Sequence, residues 1–443
     1  MIKKGSLTGL LLFGMFFGAG NLIFPPQLGL ESGQNFWPAI GGFVLSGVGI
    51  AILTLIIGTL NPKGYIDEIS KKIAPWFAVV YLVALYLAIG PFFAIPRTAT
   101  TAFSVGIEPM LPAGSHAIWL FGFTLVYFAF AYLIALNPSK ILDSIGRYLT
   151  PIFALLIVVL VVLGAAKYGS TAPQGATAEY AASAFGAGFL QGYNTLDALA
   201  SVAFSVVAVT TLNQLGFKNK KEYISTIWVV GILVALGFSV LYIGLAFLGN
   251  HFPLNLANLP KGANVGASVL SSATQAIFGP MAQVFLAIMV TVTCFTTTAG
   301  LIVSTGEFFH NTFPKVSYKV YATIFTLVGF AIANLGLNAI IQYSVPALEI
   351  LYPITITIVM IVMVNRFLPL SKPGMQLTIA VVTLIAFASI WGRQFQLTAI
   401  LNLVNDLPFA QASLPWLLPA LVGILLSLLL PNKQKSDAFE FEA

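Results

Sequence analysis

The chain has 443 residues, of which 58% are hydrophobic and 8% charged, and a formal net charge of +6. Ordinary soluble domains carry about a quarter charged residues. No soluble core can hide this much apolar surface, which excludes a soluble enzyme, and the basic residues sit in short clusters between apolar stretches rather than forming a nucleic-acid face.

Crossing about 30 Å of hydrocarbon takes about 20 apolar helical residues, and twelve stretches qualify. The first, 6–28, follows Met1-Ile2-Lys3-Lys4, a start that imitates a secretory signal. The apolar run is too long for one, however, and no small-residue cleavage site leads into a soluble domain. This span contains Phe17-Gly18-Ala19-Gly20-Asn21-Leu22-Ile23-Phe24-Pro25-Pro26. Glycine costs about 1 kcal/mol and proline about 3 in a helix interior, so the sequence predicts a break here. Spans follow at 37–60, 74–104, 118–136 and 148–166. The sixth, 182–212, repeats Phe185-Gly186-Ala187-Gly188 and adds Gln191-Gly192-Tyr193-Asn194-Thr195-Leu196-Asp197, polar where lipid-facing chain is apolar. The remaining spans are 224–248, 278–304, 320–335, 340–364, 377–390 and 414–430.

The eighth span carries Thr291, Thr293, Thr296, Thr297 and Thr298 within two turns. Such hydroxyls either supply the oxygen ligands a hard cation needs or bridge helices. Three ionisable residues lie at membrane depth, each costing at least about 3 kcal/mol. Asp197 reads as a cap of the second half-helix, or as a gate or proton acceptor. Arg97 reads as snorkelling toward the outer interface or pairing with an acid. Glu349, between Pro346 and Pro353, has no evident role. Cys294 reads as a small hydrophobe, and His116, His251 and His310 as solvated loop positions without companion ligands.

An even number of spans puts both termini on one side. The 20 Lys and Arg residues then fall on that side except Arg97, Lys167, Lys261 and Arg393, which by the positive-inside rule makes both termini cytoplasmic. The clusters 63–72 and 218–222 read as cytoplasmic loops facing anionic lipid headgroups. No phosphate-binding glycine loop, metal-ligand spacing or nucleophile elbow occurs, so neither an ATP-driven pump nor an enzyme is expected, and no cofactor.

Interrupted helices in the first span of each half point to a secondary transporter with inverted repeats; the alternative is that the glycines serve close helix packing. The repeats would be 1–167 and 168–366, followed by two extra helices in 367–432 and a tail, 433–443. Half-helix N-termini attract a carboxylate, and freed carbonyls hold an ammonium group or a cation. A zwitterionic amino acid matches that pair of sites.

The run from Gly14 to Pro26, with Ala88-Ile89-Gly90-Pro91-Phe92-Phe93-Ala94-Ile95-Pro96-Arg97-Thr98-Ala99-Thr100 and the Gly192–Asp197 stretch, resembles the branched-chain amino acid:cation symporter family of BrnQ type, over nearly the whole chain. That family is similar to the leucine-transporter fold. The resemblance implies an all-α membrane protein of 12 transmembrane helices, a 5+5 inverted repeat with helices 1 and 6 discontinuous, and two extra helices. It implies import of leucine, isoleucine and valine across the bilayer by symport with a cation, Na+ or H+, through alternating access. A proton-coupled carrier of other neutral amino acids, or a channel, is the alternative. The substrate carboxylate would meet Gly18, Ala19, Gly20 and Asn21, and its ammonium the carbonyls near Gln191, Gly192 and Tyr193. A sodium ion would lie between carbonyls of Gly14 and Phe17 and hydroxyls of Thr293, Thr296 and Thr297.

Overall fold

The computed structural model describes residues 13–14, 16–61, 63–112, 116–136, 140–213, 220–260, 262–431 and 433–434. Lys3, Lys4, Lys218, Lys261, Lys435, the start of the first predicted span and the end of the tail lie outside them. In lipid every backbone polar group has to be satisfied within the protein, and the described chain is helical almost throughout. The helices are α1 Ala19–Ser32, α2 Phe36–Val44, α3 Ala51–Thr59, α4 Gly64–Lys72, α5 Pro75–Leu87, α6 Ala94–Ala102, α7 His116–Leu136, α8 Lys140–Tyr168 and α9 Ala178–Tyr193. They continue as α10 Asp197–Asn213, α11 Lys220–His251, α12 Val265–Phe278, α13 Met281–Thr312, α14 Tyr318–Ala333, α15 Leu337–Phe367, α16 Lys372–Gln394, α17 Thr398–Asn405 and α18 Leu417–Leu429. Two short strands, β1 Leu370–Ser371 and β2 Lys433–Gln434, pair antiparallel. Among the described residues seven helical stretches are long and apolar enough to cross a membrane, and four shorter apolar helices accompany them. A helix or helix pair stands at each predicted stretch.

Four features depart from expectation. Pro25 and Pro26 lie inside α1, whose N-terminus is instead set at Gly18. The segment between the seventh and eighth spans, read as loop, holds α12, capped by Asn264 Oδ1 accepting from the Ala267 N–H at 3.0 Å. The basic cluster 63–72 is the helix α4, in which Lys72 and Glu68 form a buried ion pair and Asn61 Nδ2 donates to Glu68 Oε1 at 2.9 Å. The histidines are not free in solvent: His116 Nδ1 lies 3.1 Å from Glu108, and the Nδ1 atoms of His251 and His310 lie 2.7 and 2.8 Å from the Thr171 and Val316 carbonyls.

Helix association in a membrane depends on close packing rather than on hydrophobic drive, and small residues permit it. Two seams show this. Along α1, a β-carbon on Gly29 would lie 1.8 Å from the Ala246 carbonyl oxygen of α11. One on Gly249 would lie 2.1 Å from that of Pro26, and one on Gly266 of α12 1.8 Å from that of Ile23. Asn250 Nδ2 fastens the end of α1 by donating to the carbonyls of Gly29 and Gly33, both at 2.8 Å. Between α2 and α9, a β-carbon on Gly188 would lie 1.9 Å from the Ala39 carbonyl and one on Gly42 2.2 Å from that of Phe185. Backbone touches backbone at these points.

The third span is bent. Gly90 leaves helical geometry (φ −96°, ψ −124°) beside Pro91 in a π-type turn, Ala88–Phe92, joining α5 to α6. Such turns are common where a helix serves a site. This one starts α6 afresh at Ala94 and brings Arg97 into its first turn.

Candidate substrate and cation site

The first break falls at Phe17 and Gly18, between the helical residues Phe13, Gly14 and Phe16 and the start of α1. Gly18 is extended (φ −127°, ψ −164°) and no side chain caps α1. The leading N–H groups of a helix have no partner within it, so those of Ala19, Gly20 and Asn21 form a site of positive potential. Phe17 is held by ring contacts with Phe13, Phe153 and Phe238, at centroid distances of 5.5, 5.7 and 6.0 Å. Asn21 Nδ2 reaches back to the Phe16 carbonyl at 3.1 Å and across to Asp197 Oδ2 at 3.4 Å. The amide thus ties the first break to the second.

The second break is Asn194-Thr195-Leu196, between α9 and α10, with Leu196 at φ +67°. A leucine in the left-handed region is strained, and it persists here because both flanking helices are fixed. The Gln191, Gly192 and Tyr193 carbonyls, expected to face an ammonium, accept the N–H groups of Asn194, Thr195 and Leu196 at 3.1, 3.2 and 3.0 Å. The next two carbonyls point elsewhere: Arg97 Nη1 donates to Asn194 O at 2.5 Å and Nη2 to Thr195 O at 3.2 Å. The guanidinium also lies over the Phe24 ring, 5.4 Å from its centroid. Arg97 is 3% exposed, so it does not snorkel, and its Nε has no hydrogen-bond partner.

Asp197 opens α10. Tyr242 donates its hydroxyl to Asp197 Oδ2 at 2.7 Å, beside the Asn21 contact, and the Asp197 N–H is taken by Thr195 Oγ1 at 3.4 Å. A cavity of about 40 Å³ lies between the breaks, lined by Gly18 to Asn21, Arg97, Asp197 and Thr297 among others. At about 10–15 Å³ of such space per water, it has room for roughly three waters. Gly20 closes one wall: a β-carbon there would lie 3.1 Å from Arg97 Nη2 and 3.1 Å from Thr195 Cα.

The eighth predicted span, 278–304, begins at the end of α12 and continues along α13, which passes the first break. A β-carbon on Gly18 would lie 3.5 Å from Thr297 Oγ1. Thr296 and Thr297 donate back to the Thr293 carbonyl at 2.9 and 3.3 Å. Thr293 Oγ1 is buried with no partner, an unpaired hard oxygen donor that fits a cation ligand. Gly14 and Phe17 precede Gly18 in the chain, Gly14 in the helical residues before the break and Phe17 at the break itself. Thr298 belongs to a different group: its hydroxyl bonds Thr98 at 2.5 Å and Tyr127 at 2.8 Å, bridging α13 to α6 and α7. The last unexplained charge, Glu349, pairs with Arg393 of α16, whose Nη1 donates to Glu349 Oε1 at 3.3 Å.

The profile described as "Branched-chain amino acid transport protein" matches residues 1–434. The chain belongs to the branched-chain amino acid transport protein family. It is 39% identical over 449 residues to a protein of Staphylococcus aureus (strain USA300) named, provisionally, as a branched-chain amino acid carrier, covering 100% of both chains. A Staphylococcus haemolyticus protein named in the same way is 39% identical over the same full coverage. Membership of the branched-chain amino acid transport protein family makes this chain a multi-pass membrane carrier and not an enzyme. Among solved structures it is similar to MhsT in complex with L-phenylalanine (TM-score 0.58, 18% identity, 95% of this chain and 97% of that one). It is also similar to Mhp1, a nucleobase-cation-symport-1 family transporter with bromovinylhydantoin bound (TM-score 0.54, 14% identity, 96% and 91%). The fold is therefore the leucine-transporter-like one, with discontinuous helices.

Sequence reasoning missed Tyr242, Phe24, the carbonyls of Asn194 and Thr195 and the Thr98–Thr298–Tyr127 group. Each acts through a partner on a distant helix. Only the Pro96-Arg97-Thr98 run after a Gly-Pro kink signalled that the third span faces the site.

Proposed function

We propose that this protein imports leucine, isoleucine and valine by symport with a cation, Na+, through alternating access of the paired breaks to the two sides of the membrane. The observation that carries the reading is the meeting of two helix breaks at one cavity that holds free N–H groups, freed carbonyls, a guanidinium and a carboxylate. The substrate carboxylate takes the N–H groups of Gly18, Ala19, Gly20 and Asn21. Its ammonium replaces Arg97 on the Asn194 and Thr195 carbonyls, next to Asp197, and the released guanidinium turns toward the substrate carboxylate. Because the cavity now has room for only about three waters, loading requires the breaks to part, so binding and conformational change are one event. MhsT, of the same fold, binds an amino acid, which supports this use of the site.

Thr293, Thr296 and Thr297 with the carbonyls of Gly14 and Phe17 would hold Na+, which supplies positive charge next to the half-helix bearing the carboxylate site. In this reading the chain crosses the bilayer twelve times with both termini cytoplasmic, 1–167 and 168–366 forming the inverted repeats. A second reading, proton coupling, rests on Asp197, a buried carboxylate at the second break hydrogen-bonded to Tyr242 and Asn21. Uptake of labelled leucine into proteoliposomes, with sodium and proton gradients imposed separately, tests both. Sodium-driven accumulation that saturates is expected. Accumulation driven by the proton gradient alone transfers the coupling role to Asp197, and linear flux without any gradient dependence overturns the carrier mechanism.

A further inference from the structure

A cavity with more space than the central one lies apart from it. A space of about 180 Å³ lies between α9, α15, α16, α17 and the segment leading into α18. Two charges of opposite sign line it, Glu349 of α15 and Arg393 of α16, and they meet each other. An apolar wall faces them, built from Leu190, Leu401, Val404 and Trp416. Tyr193, the last residue before the second break, also lines it, and its ring stacks on Tyr352 at 4.1 Å.

We propose that this cavity is a second, peripheral binding site for a zwitterionic amino acid with an aliphatic side chain. The proposal rests on the reading that the central site carries such amino acids. Three observations support it. A carboxylate inside a membrane helix is expensive, and Glu349 is only partly repaid by Arg393, whose side chain is 55% exposed. A zwitterion inserted between them exchanges one ion pair for two: ammonium on Glu349, substrate carboxylate on Arg393. Second, the wall opposite is aliphatic and aromatic, the environment that holds a branched side chain by its buried area. Third, this cavity has several times the space of the central one, so it admits a leucine-sized molecule while the breaks remain closed. Tyr193 then lies between an occupied peripheral site and the break, so occupancy bears on the residue that ends α9.

Trp416 makes the site readable without transport. Full-length protein in lipid nanodiscs is titrated with L-leucine while tryptophan emission is recorded, with Asn21→Ala removing the central site and Trp416→Phe isolating the local signal. The expected result is a saturable emission change in Asn21→Ala that disappears in Asn21→Ala/Trp416→Phe. Glu349→Gln and Arg393→Gln, each tested separately, should shift its midpoint at least tenfold. Isoamylamine and isocaproate, each carrying half of the zwitterion, should bind at least tenfold more weakly than leucine. An emission unmoved by leucine, a midpoint unchanged in both charge variants, or equal binding of isoamylamine overturns the proposal. Leucine uptake by the unaltered protein reads the transport function separately: a chain with the Trp416 signal and no uptake overturns the central reading and leaves this one standing.

Discussion

At Gly20 the site has no room for a side chain. A β-carbon there would press on Arg97 Nη2 and on the Thr195 backbone, both at 3.1 Å. The guanidinium can yield a few tenths of an ångström, and the Thr195 backbone of the second break yields less. Gly20→Ala is therefore expected to keep partial uptake with a raised half-saturation for leucine, and Gly20→Val to abolish uptake with normal amounts of protein in the membrane. Normal transport by Gly20→Val would remove this break from the site. Thr293→Val deletes an unpartnered buried hydroxyl and keeps its shape, so folding stability should hold or rise slightly. The cation concentration for half-maximal uptake should increase about tenfold or more in Thr293→Val and in Thr297→Val; unchanged cation dependence in the double variant places the ion elsewhere. The glycines and Asn21 were legible in the sequence because they violate helix chemistry locally. Arg97 was legible only as an anomaly. Its partners, the Asn194 and Thr195 carbonyls, become free through a turn about a hundred positions along the chain, and nothing in the Arg97 neighbourhood encodes that.

Helices were legible where the apolar run reached membrane thickness, and boundaries moved mostly by a turn or less. The helix α12 was not, because its 14 residues fall short of the about 20 a crossing needs. The amphipathic α4 was missed because its basic residues read as a loop cluster, whereas Lys72 and Glu68 neutralise each other in burial. The α2–α9 seam gives this scale its prediction. Gly188→Leu forces a branched side chain into a position where even a β-carbon would lie 1.9 Å from the Ala39 carbonyl. Overpacking costs about 1–3 kcal/mol in well-packed cores, and a backbone-to-backbone contact has less room to yield. Thermal unfolding in detergent should drop by several degrees or the protein should fail to accumulate, whereas Gly41→Leu, with open space at its β-carbon, should leave both unchanged.

For the molecule as a whole, the reading of a shared zwitterion site predicts how cargoes compete. Leucine, isoleucine and valine differ by at most one methylene, worth about 0.8 kcal/mol, and apolar pockets separate such pairs only about 10- to 200-fold. Their inhibition constants against labelled leucine should fall within about two orders of magnitude. Alanine should compete poorly, and lysine and glutamate more poorly still, since a buried unpaired charge costs several kcal/mol. Displacement by lysine as good as by valine would defeat the apolar-pocket reading. The glycine seams have a further consequence for solvent exchange. Where two backbones meet without a side chain between them, water reaches the amides only when the helices separate, so protons at Gly29, Gly249 and Gly266 leave through large openings alone. At the first break the leading N–H groups of α1 have no partner within the helix. In deuterated buffer these amides should take up label before the seams and slow down when leucine is present, while the seams stay protonated with or without it, the mark of helices that travel together as one body.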